Sequence, residues 1–228
     1  MIPNSPGLII MPMRFMVKTF VNSSNCWYLQ QTGDYQPSDY LLSIIAYHSA
    51  PVLEREKPAT LLTFVNDGTR KLNDVWLKNR ELIPVSENFR YFELWNAPER
   101  TVVLFYHPNL LQKALLEESG AYYLQSCGYR SELTLETALS DLKTRYQAGC
   151  PHEIGIFLGI PLPDVLGFID NRGKKALAGG YWKVYHDPAP KLALFSRYQE
   201  AKSCFVRFMM AGNGPEDYLL RKIAVIIE

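Results

Sequence analysis

Residues 89–107 read FRYFELWNAPERTVVLFYH, and the reading of this stretch decides the fold class. Phe89–Trp95 and Thr101–His107 are two runs of aromatic and β-branched side chains, the composition that suits a pleated, half-buried surface. Asn96-Ala97-Pro98-Glu99-Arg100 separates them, so the pair reads as a β-hairpin with a longer loop. Pro108 then opens a helix with apolar positions Leu110, Leu111, Ala114 and Leu115.

Upstream of the hairpin, Ser38 is the expected N-cap of a helix whose stripe is Leu41, Ile44, Ile45, His48 and Val52, with Pro51 bending or ending it. Thr60–Asn66 reads as a buried strand closed by an Asp67-Gly68 turn, and a short helix is expected over Leu72–Asn79. Downstream, Leu135, Ala138, Leu139, Leu142 and Tyr146 mark a helix from Thr134 to Gln147. Two short helices, Pro151–Leu158 and Pro163–Asn171, precede a strand over Tyr181–Tyr185, a helix over residues 190–203 and a final strand over Ile223–Ile227. Strands and helices intermingle without strict βαβ alternation. The expected fold is therefore a single α+β domain, with a mixed or antiparallel sheet packed by helices. Residues 1–37 read as a loosely structured lead-in whose Phe15, Val17, Phe20 and Trp27 are available to dock. Residues 38–203 form the domain, and 204–228 a C-terminal extension.

Composition excludes several classes. At 228 residues and 26.1 kDa, folding buries a surface of about 38,000 Å² down to roughly 10,500 Å², enough for a core without metal or disulfide. The balance of 24 Lys+Arg against 23 Asp+Glu supplies no field for nucleic acid or an anionic membrane. Cys26, Cys127, Cys150 and Cys204 show no CxxC spacing. Leu8-Ile9-Ile10-Met11 is bracketed by Pro6 and Pro12 and falls short of a membrane span. The expectation is a cytoplasmic protein with reduced thiols.

No GxGxxG, GxxxxGK[ST] or GxSxG is present, and HExxH fails because Ile156 stands where a second histidine is needed. His48, His107, His186 and Cys150 have no metal-ligand spacing, and no cofactor is indicated. Gly149-Cys150-Pro151-His152-Glu153 is the most chemically suggestive segment. With Pro151 and Glu153 in the first helical turn, Cys150 falls at an N-cap, where thiolates are stabilised. One reading makes Cys150 a nucleophile with His152 or Glu153 as acid–base partner. The structural reading, a capped helix start with a small buried thiol, is favoured. Residues 152–169 also carry the packing pattern of a helix-turn-helix, but the second helix has no Lys or Arg before Arg172, Lys174 and Lys175. A structural hairpin at about 151–171 is the expectation, with nucleic acid an unlikely partner.

In His48-Ser49, the chemical reading sets Ser49 beside an imidazole base, with Lys57 near in sequence to neutralise an anion. The structural reading, a histidine on an apolar stripe, is again favoured. Strand alternation through Tyr181-Trp182-Lys183-Val184-Tyr185 puts Tyr181, Lys183 and Tyr185 on one face, able to line an anion pocket or to form a solvated sheet face.

At these residues the chain resembles a bacterial family of unknown function. Its hallmarks match Pro151-His152-Glu153-Ile154-Gly155, Phe157-Leu158-Gly159-Ile160-Pro161, Asp164-Val165, Gly167-Phe168-Ile169 and Gly180–Tyr185. Weaker matches are Ala50-Pro51 with Lys57 and Leu61, Gly128-Tyr129, and the helix of Leu139, Leu142 and Arg145. The resemblance covers residues 40–203 and implies no established activity. It implies an aromatic residue at position 150 and a cysteine at position 49 in many members, where this chain has Cys150 and Ser49. Three functions follow in order. The first is binding of a small ligand or protein partner near His152, Glu153, Tyr181, Lys183 and Tyr185. The second is a hydrolase or transferase using His152/Glu153 with Ser49 or Cys150, and the third a DNA-binding regulator.

Overall fold

The alternation of side chains along Thr101-Val102-Val103-Leu104-Phe105-Tyr106 organises the molecule, because this strand is buried on both faces. The computed structural model describes residues 35–66 and 70–224. The elements in chain order are α1 (Pro37–Leu53), β1 (Ala59–Val65), α2 (Leu72–Asn79), β2 (Arg90–Ala97), β3 (Arg100–Tyr106), α3 (Pro108–Leu115), α4 (Glu118–Ser126) and α5 (Leu135–Tyr146). They continue with α6 (Ile154–Phe157), α7 (Leu162–Asp170), β4 (Ala178–Gly179), β5 (Lys183–Val184), α8 (Pro188–Met210) and α9 (Pro215–Ile223).

The main sheet is antiparallel, in the order β1-β3-β2. Ala59 pairs with Tyr106 and Val65 with Arg100 on one side of β3, and Arg90 pairs with Tyr106 and Ala97 with Arg100 on the other. A bulge at Leu94 shifts the register between Glu93 and Trp95. With period-2 side chains, Val102, Leu104 and Tyr106 enter one core together with α3, α5, α6, Trp182 and Tyr198. Val103 and Phe105 enter a second core, on the opposite face, with α1, Trp76, Phe205 and Tyr218. The α+β expectation holds, the sheet is antiparallel, and helices cover both its faces.

Local chemistry explains most element ends. Thr134 caps α5: its Oγ1 accepts from Thr137 N–H at 3.2 Å, while its own N–H donates to Thr137 Oγ1 at 2.9 Å. Pro108 begins α3, where a missing N–H costs nothing. Pro51 stays inside the last turn of α1, which ends two residues later at Leu53.

Several expectations need correction. The β2–β3 loop is a two-residue Pro98-Glu99 turn, because the strands continue to Ala97 and Arg100. Only Lys183–Val184 of the 181–185 run pairs as strand, against Ala178–Gly179. Ile223 ends a helix that packs on α1, so no strand begins there, and residues 225–227 lie outside the described residues. Helix α4 was not anticipated. Helix α8 runs through residue 203 to Met210, and Phe205, Val206, Met209, Tyr218 and Leu219 belong to the second core. Phe15, Val17, Phe20, Trp27 and the Asp67-Gly68 turn lie outside the described residues.

Candidate functional site

The seam between the two cores holds the site. Helix α1 closes in a turn that places Arg55 in the left-handed region, φ 60°, and lets the N–H groups of Glu56 and Lys57 both donate to Pro51 O, at 2.9 and 3.0 Å. That turn folds Lys57 back beneath the helix end, 6% exposed. From the other side α8 supplies Lys202, 1% exposed, on the same buried stripe as Tyr198, Ala201, Phe205 and Met209. Both ammonium groups lie over aromatic faces. Lys57 Nζ is 5.8 Å from the Tyr198 centroid, and Lys202 Nζ is 4.8 Å from Tyr47 and 5.1 Å from Tyr181.

His48, Lys57, Thr60, Phe64, Tyr181 and Lys202 contribute to the walls of one cavity of about 280 Å³. Its floor follows β1, an edge strand of the sheet. Among the described residues no carboxylate forms an ion pair with Lys57 or Lys202. Tyr181 brings a hydroxyl that is buried without a hydrogen-bond partner among the described residues.

The electrostatics follow from burial of two like charges. Desolvation pushes Lys57 down to about 8. Desolvation, with the field of Lys57 added, pushes Lys202 down to about 7. Desolvation, then Lys202 and Lys57, pushes His48 down to about 3, so its imidazole is neutral at pH 7. An unpaired buried charge is costly, and here two share one cavity. A small anion entering it would be desolvated and met by two cations at once.

Of the residues singled out in the sequence, His48, Lys57 and Tyr181 meet in this cavity, whereas Ser49, Cys150, His152, Glu153, Lys183 and Tyr185 do not line it. Ser49, next to His48, does not line the pocket and is fully buried, and its Oγ has no hydrogen-bond partner among the described residues. Glu153, 4% exposed, is the acceptor of a buried ion pair from Arg145 Nε, while Arg145 Nη1 donates to Cys127 O at 2.6 Å. Helix α6 begins at Ile154 with Glu153 in the N-cap position, so Pro151 is not a first helical residue and Cys150 is no N-cap. Burial instead pushes the Cys150 thiol up to about 11, opposite to an activated thiolate. His152 sits beside Phe168, ring centroids 5.8 Å apart.

The 181–185 run is split by its surroundings. Tyr181 faces Tyr198 at 5.0 Å, Lys183 Nζ donates to Gly173 O, and the Tyr185 ring lies against Gly167, where a Cβ would stand 2.4 Å from that of Tyr185. That contact covers α7, the second helix of the hairpin. Asp164 fixes it by accepting from Trp182 Nε1 at 2.8 Å and from the Tyr185 and His186 amides at 2.7 and 3.0 Å. Among the described residues no group of three His, Cys, Asp or Glu side chains is placed to hold a metal ion. Nor is any helix long and apolar enough to cross a membrane.

Lys202 was missed in the sequence, although a signal exists. Phe195, Tyr198, Lys202, Phe205 and Met209 recur at three- and four-residue spacing, so the lysine stands on an otherwise apolar stripe.

A family model described as "Protein of unknown function (DUF3793)" matches residues 45–219. The match spans both walls of the cavity and bears out the resemblance to a family of unknown function. No curated protein matches the chain. No solved structure matches it either.

Proposed function

This chain belongs to the DUF3793 family, and we propose that it is a binding protein for a small organic or inorganic anion. The observation that carries this reading is that Lys57 and Lys202 line one cavity, both buried, with no ion-pair partner among the described residues. Two unpaired cations in low dielectric cost stability, and a bound anion would recover it through charge-assisted hydrogen bonds. The cavity volume lies at the small end of ligand pockets, which favours a metabolite of few heavy atoms over a nucleotide. Ile44, Leu62, Phe64 and the Tyr181 ring would enclose its apolar part, and the Tyr181 hydroxyl would donate to or accept from its polar part.

The test is thermal unfolding of the full chain with phosphate, sulfate and a panel of small carboxylates, beside Lys57→Met and Lys202→Met. At least one anion should raise the melting temperature of the wild type at pH 6.5, and both variants should lose that response. The reading fails if no anion shifts the wild type, or if the variants respond as it does.

A further inference from the structure

We propose that Lys202 is an imine-forming amine, condensing with the carbonyl carbon of a small 2-oxo acid or aldehyde acid whose carboxylate is held by Lys57. This rests on the anion-binding reading of the same cavity and names its ligand class. The geometry supplies three functions in one cavity. Lys202 Nζ is set between the rings of Tyr47 and Tyr181, at 4.8 and 5.1 Å from their centroids. It lines the cavity with Lys57 and with His48. A carboxylate drawn to one cation brings a carbonyl two or three bonds away toward the other.

Among the described residues, the groups facing Lys202 are Tyr47 and His48 from α1, Lys57 from the turn after it and Tyr181 from the segment before β5, with Tyr198 one turn earlier on its own helix. None of them is a carboxylate. A lysine amine is nucleophilic only when neutral, and desolvation beside a second cation is the known way to free its lone pair near neutral pH. Lys202, pushed down to about 7, has the neutral form well populated there.

The step balances as follows. The Lys202 nitrogen lone pair forms the C–N bond while the carbonyl π pair moves to oxygen. One proton passes from nitrogen to that oxygen, giving a carbinolamine. The remaining nitrogen pair then closes the C=N bond as the hydroxyl leaves, and with a second proton it departs as water. Carbonyl plus primary amine thus gives imine plus one water, with no oxidant or reductant. Both protons come from the amine nitrogen and pass to oxygen within the adduct, while His48, kept unprotonated by burial and the two cations, can accept a hydrogen bond from the amine. Tyr181, whose hydroxyl has no partner among the described residues, can hydrogen-bond the carbinolamine oxygen.

The experiment treats the full chain at pH 7 with pyruvate and then with sodium cyanoborohydride, which reduces an imine to a stable secondary amine. Intact mass and peptide mapping follow, and phosphate binding by calorimetry runs in parallel. One carboxyethyl group per chain is expected at Lys202, formed on the order of a hundredfold faster than at the exposed Lys113. Lys57→Met should slow the labelling at least tenfold, and excess phosphate should compete with it. Labelling spread evenly over surface lysines, or centred on Lys57, overturns the proposal. Phosphate bound with Lys202 unlabelled overturns the imine and leaves the anion-binding reading standing. If Lys202 is unlabelled and neither phosphate nor pyruvate binds, both fail. Because the labelling is read on the wild type, a misfolded variant does not decide it.

Discussion

A Cβ on Gly159 would stand 2.7 Å from Cδ of Pro58, so the turn of the 154–170 hairpin is seated on the residue that follows Lys57. Gly159 also holds a φ of +74°, which costs any other L-residue energy. Gly159→Ala should therefore lower stability by roughly 2–3 kcal/mol, read by urea denaturation. Because the displaced Pro58 carries Lys57 with it, anion affinity should also fall severalfold. An unchanged midpoint would show that the loop accommodates the methyl group.

Glu153→Gln should weaken the fold without touching the cavity. It leaves Arg145 facing an amide in place of a carboxylate, at a site where Glu153 is almost wholly buried. A loss of about 2–3 kcal/mol is expected, below the figure for a fully buried pair because Arg145 is partly exposed. Ligand-induced stabilisation should persist once corrected for the lower melting temperature. A variant of full stability that no longer binds would restore Glu153 to the candidate site.

The two cavity lysines predict a pH dependence of definite sign. Their folded values, about 7 for Lys202 and about 8 for Lys57, lie below the unfolded value of roughly 10.4. Between those limits the unfolded chain binds more protons than the folded one, so stability rises with pH. The wild type should gain stability from about pH 7 to about pH 9.5. A Lys57→Met/Lys202→Met double variant should lack this rise and should be roughly 1–4 kcal/mol more stable at pH 6.5. Denaturant titrations at four pH values decide it, and a flat wild-type profile would refute it. His48 works in a lower window by the same sign: held at about 3, it adds stability as pH climbs from about 3 to about 6.5.

Cys150 should be a sluggish thiol. With the group pushed up to about 11, its thiolate fraction at pH 7.5 is small. Iodoacetamide should modify it roughly a hundredfold more slowly in the native protein than in urea, where the thiol returns to about 8.5. Native alkylation as fast as in urea would contradict the burial that sets this value.

Much of the backbone was legible because it rests on continuous apolar runs. The β2–β3 hairpin, α2 over Leu72–Asn79 and α5 with its Thr134 cap all follow from local period and capping chemistry. The cavity was only half legible. Lys57 and Tyr181 stand out as polar groups beside apolar ones, but His48, Lys57, Tyr181 and Lys202 are joined only by the packing of α1 on α8. Local sequence does not carry that contact. Glu153 illustrates the opposite difficulty. Spacing alone serves a cap, an acid–base group or an ion pair, and its partner Arg145 sits eight residues away on the preceding helix.

β3 gives Val102, Leu104 and Tyr106 to one core and Val103 and Phe105 to the other. Helix α8 repeats the division along its length, with Phe195 and Tyr198 in the first core and Phe205 and Met209 in the second. Neither face can melt by itself, since stripping the helices from one side wets alternate residues of a strand whose remaining residues still anchor the other. Residues 35–224 should therefore unfold as a single cooperative unit, and calorimetric and van't Hoff enthalpies are expected to agree. No cut between β1 and α8 would yield a fragment that keeps half the stability.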